Sequence, residues 1–226
     1  MRKLSPYLAM TVLAGSTLLS ANAFADGEQY QVTITNLTRA QAFTPILVSS
    51  HRKGVSLFEP GAAASSELAT LAEGGDVAPL TAVLEANDRV RDIANSGGLL
   101  MPGQSVSVTV AAGHGARFIS LASMLIPTND SFIALNSVKA PKRHGRTRVY
   151  YSPGYDAGTE PNDELCMNIP GPVCGGEGGS PGVGGEGFVH ISRGIAGIGD
   201  LDSATYDWKN PVARIVIERI DGDDED

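Results

Sequence analysis

The chain has 226 residues, 42% hydrophobic and 19% charged, with 27 Gly, 13 Pro, 2 Cys and a formal net charge of −8. This is the balance of a folded protein, neither disordered nor fibrous, and a chain of this length can bury a core without covalent staples. The acidic excess argues against a nucleic-acid surface, which needs clustered Lys and Arg against phosphate, and favours cations or basic partners.

Residues 1–25 read as an export signal: Arg2 and Lys3, an apolar stretch from Tyr7 to Leu19, then Ala23-Phe24-Ala25 with cleavage expected after Ala25. The apolar stretch is shorter than the roughly 20 residues a membrane span needs, so no transmembrane anchor is expected. The chain from Asp26 then carries 15 basic against 25 acidic residues, a net −10. Tyr30–Asn36 alternates apolar with polar residues, the pattern of a strand with one buried face. Further β-rich runs are Ile46–Ser50, Ser105–Val110, Phe118–Ile126, Phe132–Val138, Arg146–Tyr151 and Val212–Ile220. Ser65–Ala72 and Pro79–Ile93 are rich in Ala, Leu and Glu and predict short helices capping an end or edge. Seven or so strands and no repeat point to one all-β antiparallel sandwich over residues 26–220. The acidic segment 221–226 reads as a disordered tail.

Export makes Cys166 and Cys174 an expected disulfide closing a small surface loop. A metal site there is the weaker alternative, because there is no second Cys pair and no histidine at ligand spacing. Gly171–Gly187 holds nine glycines in 17 residues and predicts a long mobile loop. Its Gly182–Gly187 matches a dinucleotide fingerprint, but without the strand before and helix after that would give the match meaning.

No catalytic motif is present. His51, His114, His144 and His190 are scattered and read as surface or loop residues. Asp156-Ala157-Gly158-Thr159-Glu160 sets two acids around an Ala-Gly turn, which suits a hard cation that takes oxygen ligands. Lone Trp208 is expected to pack near the last strand. Asn36-Leu37-Thr38 and Asn129-Asp130-Ser131 match the glycosylation acceptor pattern, relevant only to a eukaryotic secretory pathway.

Ser123-Met124-Leu125-Ile126-Pro127-Thr128-Asn129-Asp130-Ser131-Phe132 and Tyr155-Asp156-Ala157-Gly158-Thr159-Glu160 together resemble two hallmark motifs of the spondin N-terminal domain, the module of F-spondin and mindin. Phe43-Thr44-Pro45 followed by His51, Leu71–Gly75 and Pro211–Ile215 extend the resemblance to about residues 29–220. The resemblance implies an eight-stranded antiparallel β-sandwich with a calcium ion (Ca2+) held by end loops, its ligands falling on Asp130, Asp156 and Glu160. Two departures stand out: the family's Trp beside the metal is Ser131 here, and its last Asp is Glu160. The implied role is an exported, non-enzymatic adhesion or recognition module, in the periplasm or secreted, with a protein or glycan ligand. The competing expectation is a metal-dependent hydrolase using the same acids with His190 or His144 as base.

Overall fold

In the computed structural model, which describes residues 27–179 and 184–220, the alternating N-terminal stretch is strand β1 (Gln29–Asn36). Tyr30, Val32 and Ile34 point inward, while Thr33 and Thr35 face solvent. In chain order there follow β2 (Ala42–Phe43), β3 (Leu47–His51), α1 (Ser66–Gly74), α2 (Ala78–Glu85), β4 (Val90–Asn95), β5 (Ser105–Ala111), β6 (Phe118–Ile126) and β7 (Ser131–Lys139). The chain continues through β8 (Thr147–Ser152), β9 (Gly154–Asp156), a 3-10 turn at Cys166–Asn168, β10 (His190–Ile191), α3 (Ser203–Tyr206) and β11 (Ala213–Ile220). The expected export signal and acidic tail lie outside the described residues.

The strands form two antiparallel sheets, one ordered β5-β1-β11-β8 and the other β10-β9-β7-β6-β3-β4, with β2 also paired to β6. This is the expected all-β sandwich. Its extra strands beyond the β-rich runs are β4 and the very short β2, β9 and β10. Val32, Ile34, Ile215 and Ile217 of the first sheet share a core with Ile119, Leu121, Ile133 and Leu135 of the second. On the solvent side of the first sheet, Thr33 pairs with Ser107 and Thr35 with Ser105 through hydroxyl contacts of 2.8 and 2.7 Å.

The helices do not cap an end or edge as expected; they cover the outer face of the larger sheet. Leu68, Leu71, Leu80 and Leu84 pack with Ala122, Phe132 and Ala134. Central strands β6 and β7 are therefore buried on both faces, which explains why their sequences are apolar without alternation. The helix expected over Pro79–Ile93 is also corrected. It ends at Glu85, and Val90–Asn95 is instead the edge strand paired with β3. Asn87 Oδ1 accepts the Arg89 N–H at 3.0 Å, the local side-chain turn that competes with helix continuation.

His51 is not a surface residue. It is fully buried in β3, where its Nδ1 donates to the Arg52 carbonyl at 2.8 Å and its Nε2 lies 2.9 Å from Ser120 Oγ. Ser120 Oγ also accepts the Ser137 N–H at 2.9 Å, so the buried polar group is bonded throughout. Burial pushes the His51 imidazole below its ordinary value, keeping it neutral. Asn36 is equally committed: its amide donates to the Gln41 and Leu100 carbonyls at 2.7 and 3.0 Å, so that acceptor motif is spent on structure.

Cys166 and Cys174 form the expected disulfide. Closing a loop this short is worth about 2–3 kcal/mol by chain entropy. The Gly-rich segment has no helix or strand among its described residues, yet those residues are laid against neighbours. Gly176 and Glu177 donate to the Ile169 and Met167 carbonyls at 2.9 and 3.0 Å. A Cβ at Gly176 would sit 2.1 Å from the Cys166 carbonyl oxygen, which only glycine avoids.

Trp208 packs into the inter-sheet core as expected. Its indole lies on Gly154, where an added Cβ would meet Nε1 at 3.0 Å and two ring carbons at 3.3 Å. Gly154→Ala is expected to cost about 1–3 kcal/mol through overpacking, read as a lower urea midpoint with unchanged slope.

Candidate functional site

One end of the larger sheet gathers the acids. Asp130 closes the short loop between β6 and β7, where Thr128 Oγ1 donates to the Leu125 carbonyl at 2.6 Å and accepts the Ser131 N–H at 3.2 Å. Asp156 ends β9, which pairs with β7 so that Ser131 stands opposite Asp156. The Asp130 carbonyl accepts the Ala157 N–H at 3.2 Å, tying the two loops together. Asp130, Asp156 and Glu160 are all fully buried.

The Asp-Ala-Gly-Thr-Glu turn wraps around Asp130. Its Oδ2 accepts the N–H groups of Thr159 and Glu160 at 2.8 and 3.1 Å and the Thr159 hydroxyl at 3.2 Å. Asp130 Oδ1 is buried without a hydrogen bond. Asp156 Oδ1 accepts the Gly158 N–H at 2.9 Å, and its Oδ2 accepts Asn162 Nδ2 at 2.9 Å. Gly158 has φ +67°, and a Cβ there would lie 2.4 Å from the Phe188 carbonyl oxygen. The turn thus requires glycine on both conformational and steric grounds. Phe58, Phe132 and Tyr155 form an aromatic cluster with ring centroids 5.0–5.5 Å apart, joining the base of β9 to the helix-side core.

These surroundings disfavour charge. Burial pushes the Asp130 carboxyl up, and the neighbouring Asp156 charge pushes it further, to about 7, against the N–H groups of Glu160 and Thr159. Burial likewise raises Asp156, although its bonds from Asn162 and Gly158 and the nearby His190 pull the other way. A positive ion among these oxygens would relieve both effects. The orphaned Oδ1 of Asp130 and the purely oxygen donor set of Asp130, Asp156 and Glu160 fit a hard cation.

The structure also brings in residues that no sequence motif marked. His190 in β10 stands directly across from Asp156 in β9. Its Nε2 lies 3.5 Å from Asp156 Oδ1 and 3.7 Å from Glu186 Oε2. Burial alone would lower this imidazole, but its bond to the Ile191 carbonyl and the charges of Asp156 and Glu186 raise it. His144, the other histidine considered as a base, is exposed between β7 and β8, beyond the opposite end of β7 from Asp130. Behind the turn, the buried carboxylate of Glu164 accepts the N–H groups of Ala196, Gly197 and Ile198 at 2.6, 2.7 and 2.9 Å. The Glu164 N–H donates to Asn129 Oδ1 at 3.2 Å, so this anchor reaches the residue beside Asp130.

A family model described as Spondin_N matches residues 28–162, more than half of the chain. The match includes Asp130, Asp156 and Glu160 and ends before β10 and β11, which complete the two sheets. No curated protein matches the chain. No helix among the described residues is long and apolar enough to cross a membrane.

Proposed function

The chain belongs to the spondin N-terminal domain family of extracellular, typically non-enzymatic recognition modules, and we propose that it is an exported adhesion or recognition protein whose end-loop acids hold calcium. Asp130, Asp156 and Glu160 would supply the oxygens. The observation that carries this reading is the Asp130 carboxylate, buried beside Asp156 with Oδ1 lacking a hydrogen bond. A buried polar atom without a partner costs about 1–3 kcal/mol, more when charged, and a divalent cation converts that cost into a bond. The ion's contribution is positive charge. What the chain contributes is position: the Thr159 and Glu160 amides clamp Asp130, and Asn162 and Gly158 fix the Asp156 rotamer.

A filled site would hold the β6–β7 loop and the 156–160 turn as one surface, presented outside the cell or in the periplasm to a protein or glycan ligand. The disulfide agrees with an oxidising compartment. The test is calorimetric titration of the exported form, residues 26–226, with calcium, beside magnesium and Asp156→Ala. One equivalent of calcium should bind, magnesium should bind more weakly, and the variant should give no saturable heat. Heats unaffected by the substitution would refute the site.

A further inference from the structure

We propose that Asp156, Glu186 and His190 form a second metal site, suited to a divalent transition ion of the zinc class and separate from the all-oxygen calcium site that shares Asp156. The three donor atoms lie within 4.8 Å of one another. The argument begins at the imidazole. His190 Nδ1 is 3.0 Å from the Ile191 carbonyl oxygen, which can only accept, so Nδ1 carries the proton. Nε2 is therefore the ring atom that faces the two carboxylates, and a cation between them would take its lone pair together with an oxygen from each. Nε2 is buried and makes no hydrogen bond.

The distances favour a metal over a shared proton. An N–H···O bond spans 2.7–3.2 Å, shorter than the observed 3.5 and 3.7 Å. Donors bound at 2.0–2.1 Å around a tetrahedral ion stand about 3.3 Å apart, close to the two separations from Nε2, and the two carboxylate oxygens lie within 4.8 Å of each other. The ligands are also held from behind, as metal ligands generally are. Asn162 Nδ2 donates to Asp156 Oδ2 at 2.9 Å and to Glu186 Oε1 at 3.2 Å, leaving Asp156 Oδ1 and Glu186 Oε2 toward the imidazole. The Ile191 carbonyl performs the same task for His190.

An imidazole with two carboxylates carries net charge −2, which a divalent ion neutralises, and the nitrogen donor selects zinc-like ions over calcium or magnesium. The His190 and Glu186 side chains are 26% and 40% exposed, so an ion can enter from solvent and keep a coordination position for water or a partner's ligand atom. Both residues lie beyond the segment matched to the family, on the return from the Gly-rich stretch. Gly185 makes that return possible, since a Cβ there would sit 2.4 Å from the Gly158 carbonyl oxygen. The proposal stands whether or not calcium binds at Asp130.

The test is zinc titration of chelator-stripped protein, residues 26–226, by calorimetry, with imidazole nitrogen NMR as the structural readout. Zinc should bind with a stoichiometry near one and shift His190 Nε2 while Nδ1 stays protonated. His190→Ala and Glu186→Ala, both at partly exposed positions, should each weaken zinc at least the 10–100-fold that even an outer partner contributes, and leave calcium heats intact. Absence of zinc binding, or binding that neither variant weakens, would overturn the second site. Absence of calcium heat in the wild-type protein, with zinc bound and weakened by both variants, would instead remove the calcium reading and leave this one standing.

Discussion

Asp130→Asn is expected to raise the melting temperature of the metal-free protein and to abolish its stabilisation by calcium. The amide oxygen of asparagine can accept the Thr159 and Glu160 N–H groups that the carboxylate now accepts. What disappears is a negative charge that burial and Asp156 both oppose. In wild type, calcium bound at the proposed site and supplied at about 100 times its dissociation constant would add about 2.7 kcal/mol, or roughly 5–10 °C for a domain of this size. The variant should show none of that shift. If it instead melts lower than wild type in chelator, by the same margin as in calcium, then Asp130 serves only to anchor the 156–160 turn.

The same group sets a pH dependence with an uncommon sign. Burial and the Asp156 charge push the Asp130 carboxyl up to about 7 from the 3.8 of a solvated aspartate, so between those values the folded state holds the proton and the unfolded chain has lost it. Its contribution to metal-free stability is complete below pH about 4, declines as pH rises toward 7, and is flat above. Calcium bound at Asp130 would compete with that proton, so the calcium-induced shift should be small at pH 5 and reach its full size above pH 7. Melting curves in chelator and in calcium across this range check both signs, and Asp130→Asn should flatten the decline.

How far the sequence reveals the molecule depends on how local each cause is. β1 is legible because one face is wet, and alternation follows directly from the pleat. β6 and β7 are legible by their apolar run, although only the structure explains that run by helices on one side and a second sheet on the other. β4 was hidden. Its residues continue an Ala- and Leu-rich stretch with no Gly or Pro after Pro79, and the strand exists because β3 offers it an edge, which is a tertiary cause. Asp130, Asp156 and Glu160 stand in short motifs that carry a family resemblance. Glu186 and His190 carry none, since the β9–β10 pairing that places His190 over Asp156 is two residues long and spans 34 positions. Glu164 is equally silent in sequence, one acid among several in an irregular stretch.

Glu164→Ala is expected to be among the most damaging single substitutions, costing about 3–5 kcal/mol. The side chain is 2% exposed and receives three backbone N–H groups from 196–198, with Arg193 3.9 Å away as its nearest cation. Truncation removes three charge-assisted bonds and strands their donors, whereas most surface acids could be lost for less than 0.5 kcal/mol. Glu164→Gln should rescue only in part, because the amide nitrogen would turn donors toward donors. Glu164 also has φ +58°, a conformation held by these bonds and by the Asn129 contact rather than by intrinsic preference. Loosening it frees Asn129 beside Asp130, so calcium affinity should fall together with stability even though Glu164 touches no ion. Urea unfolding with calcium titration of the same variant separates the outcomes. A loss under about 1 kcal/mol with unchanged calcium binding would mean that the 193–200 loop is held by its other contacts and that the end-loop site stands without this anchor.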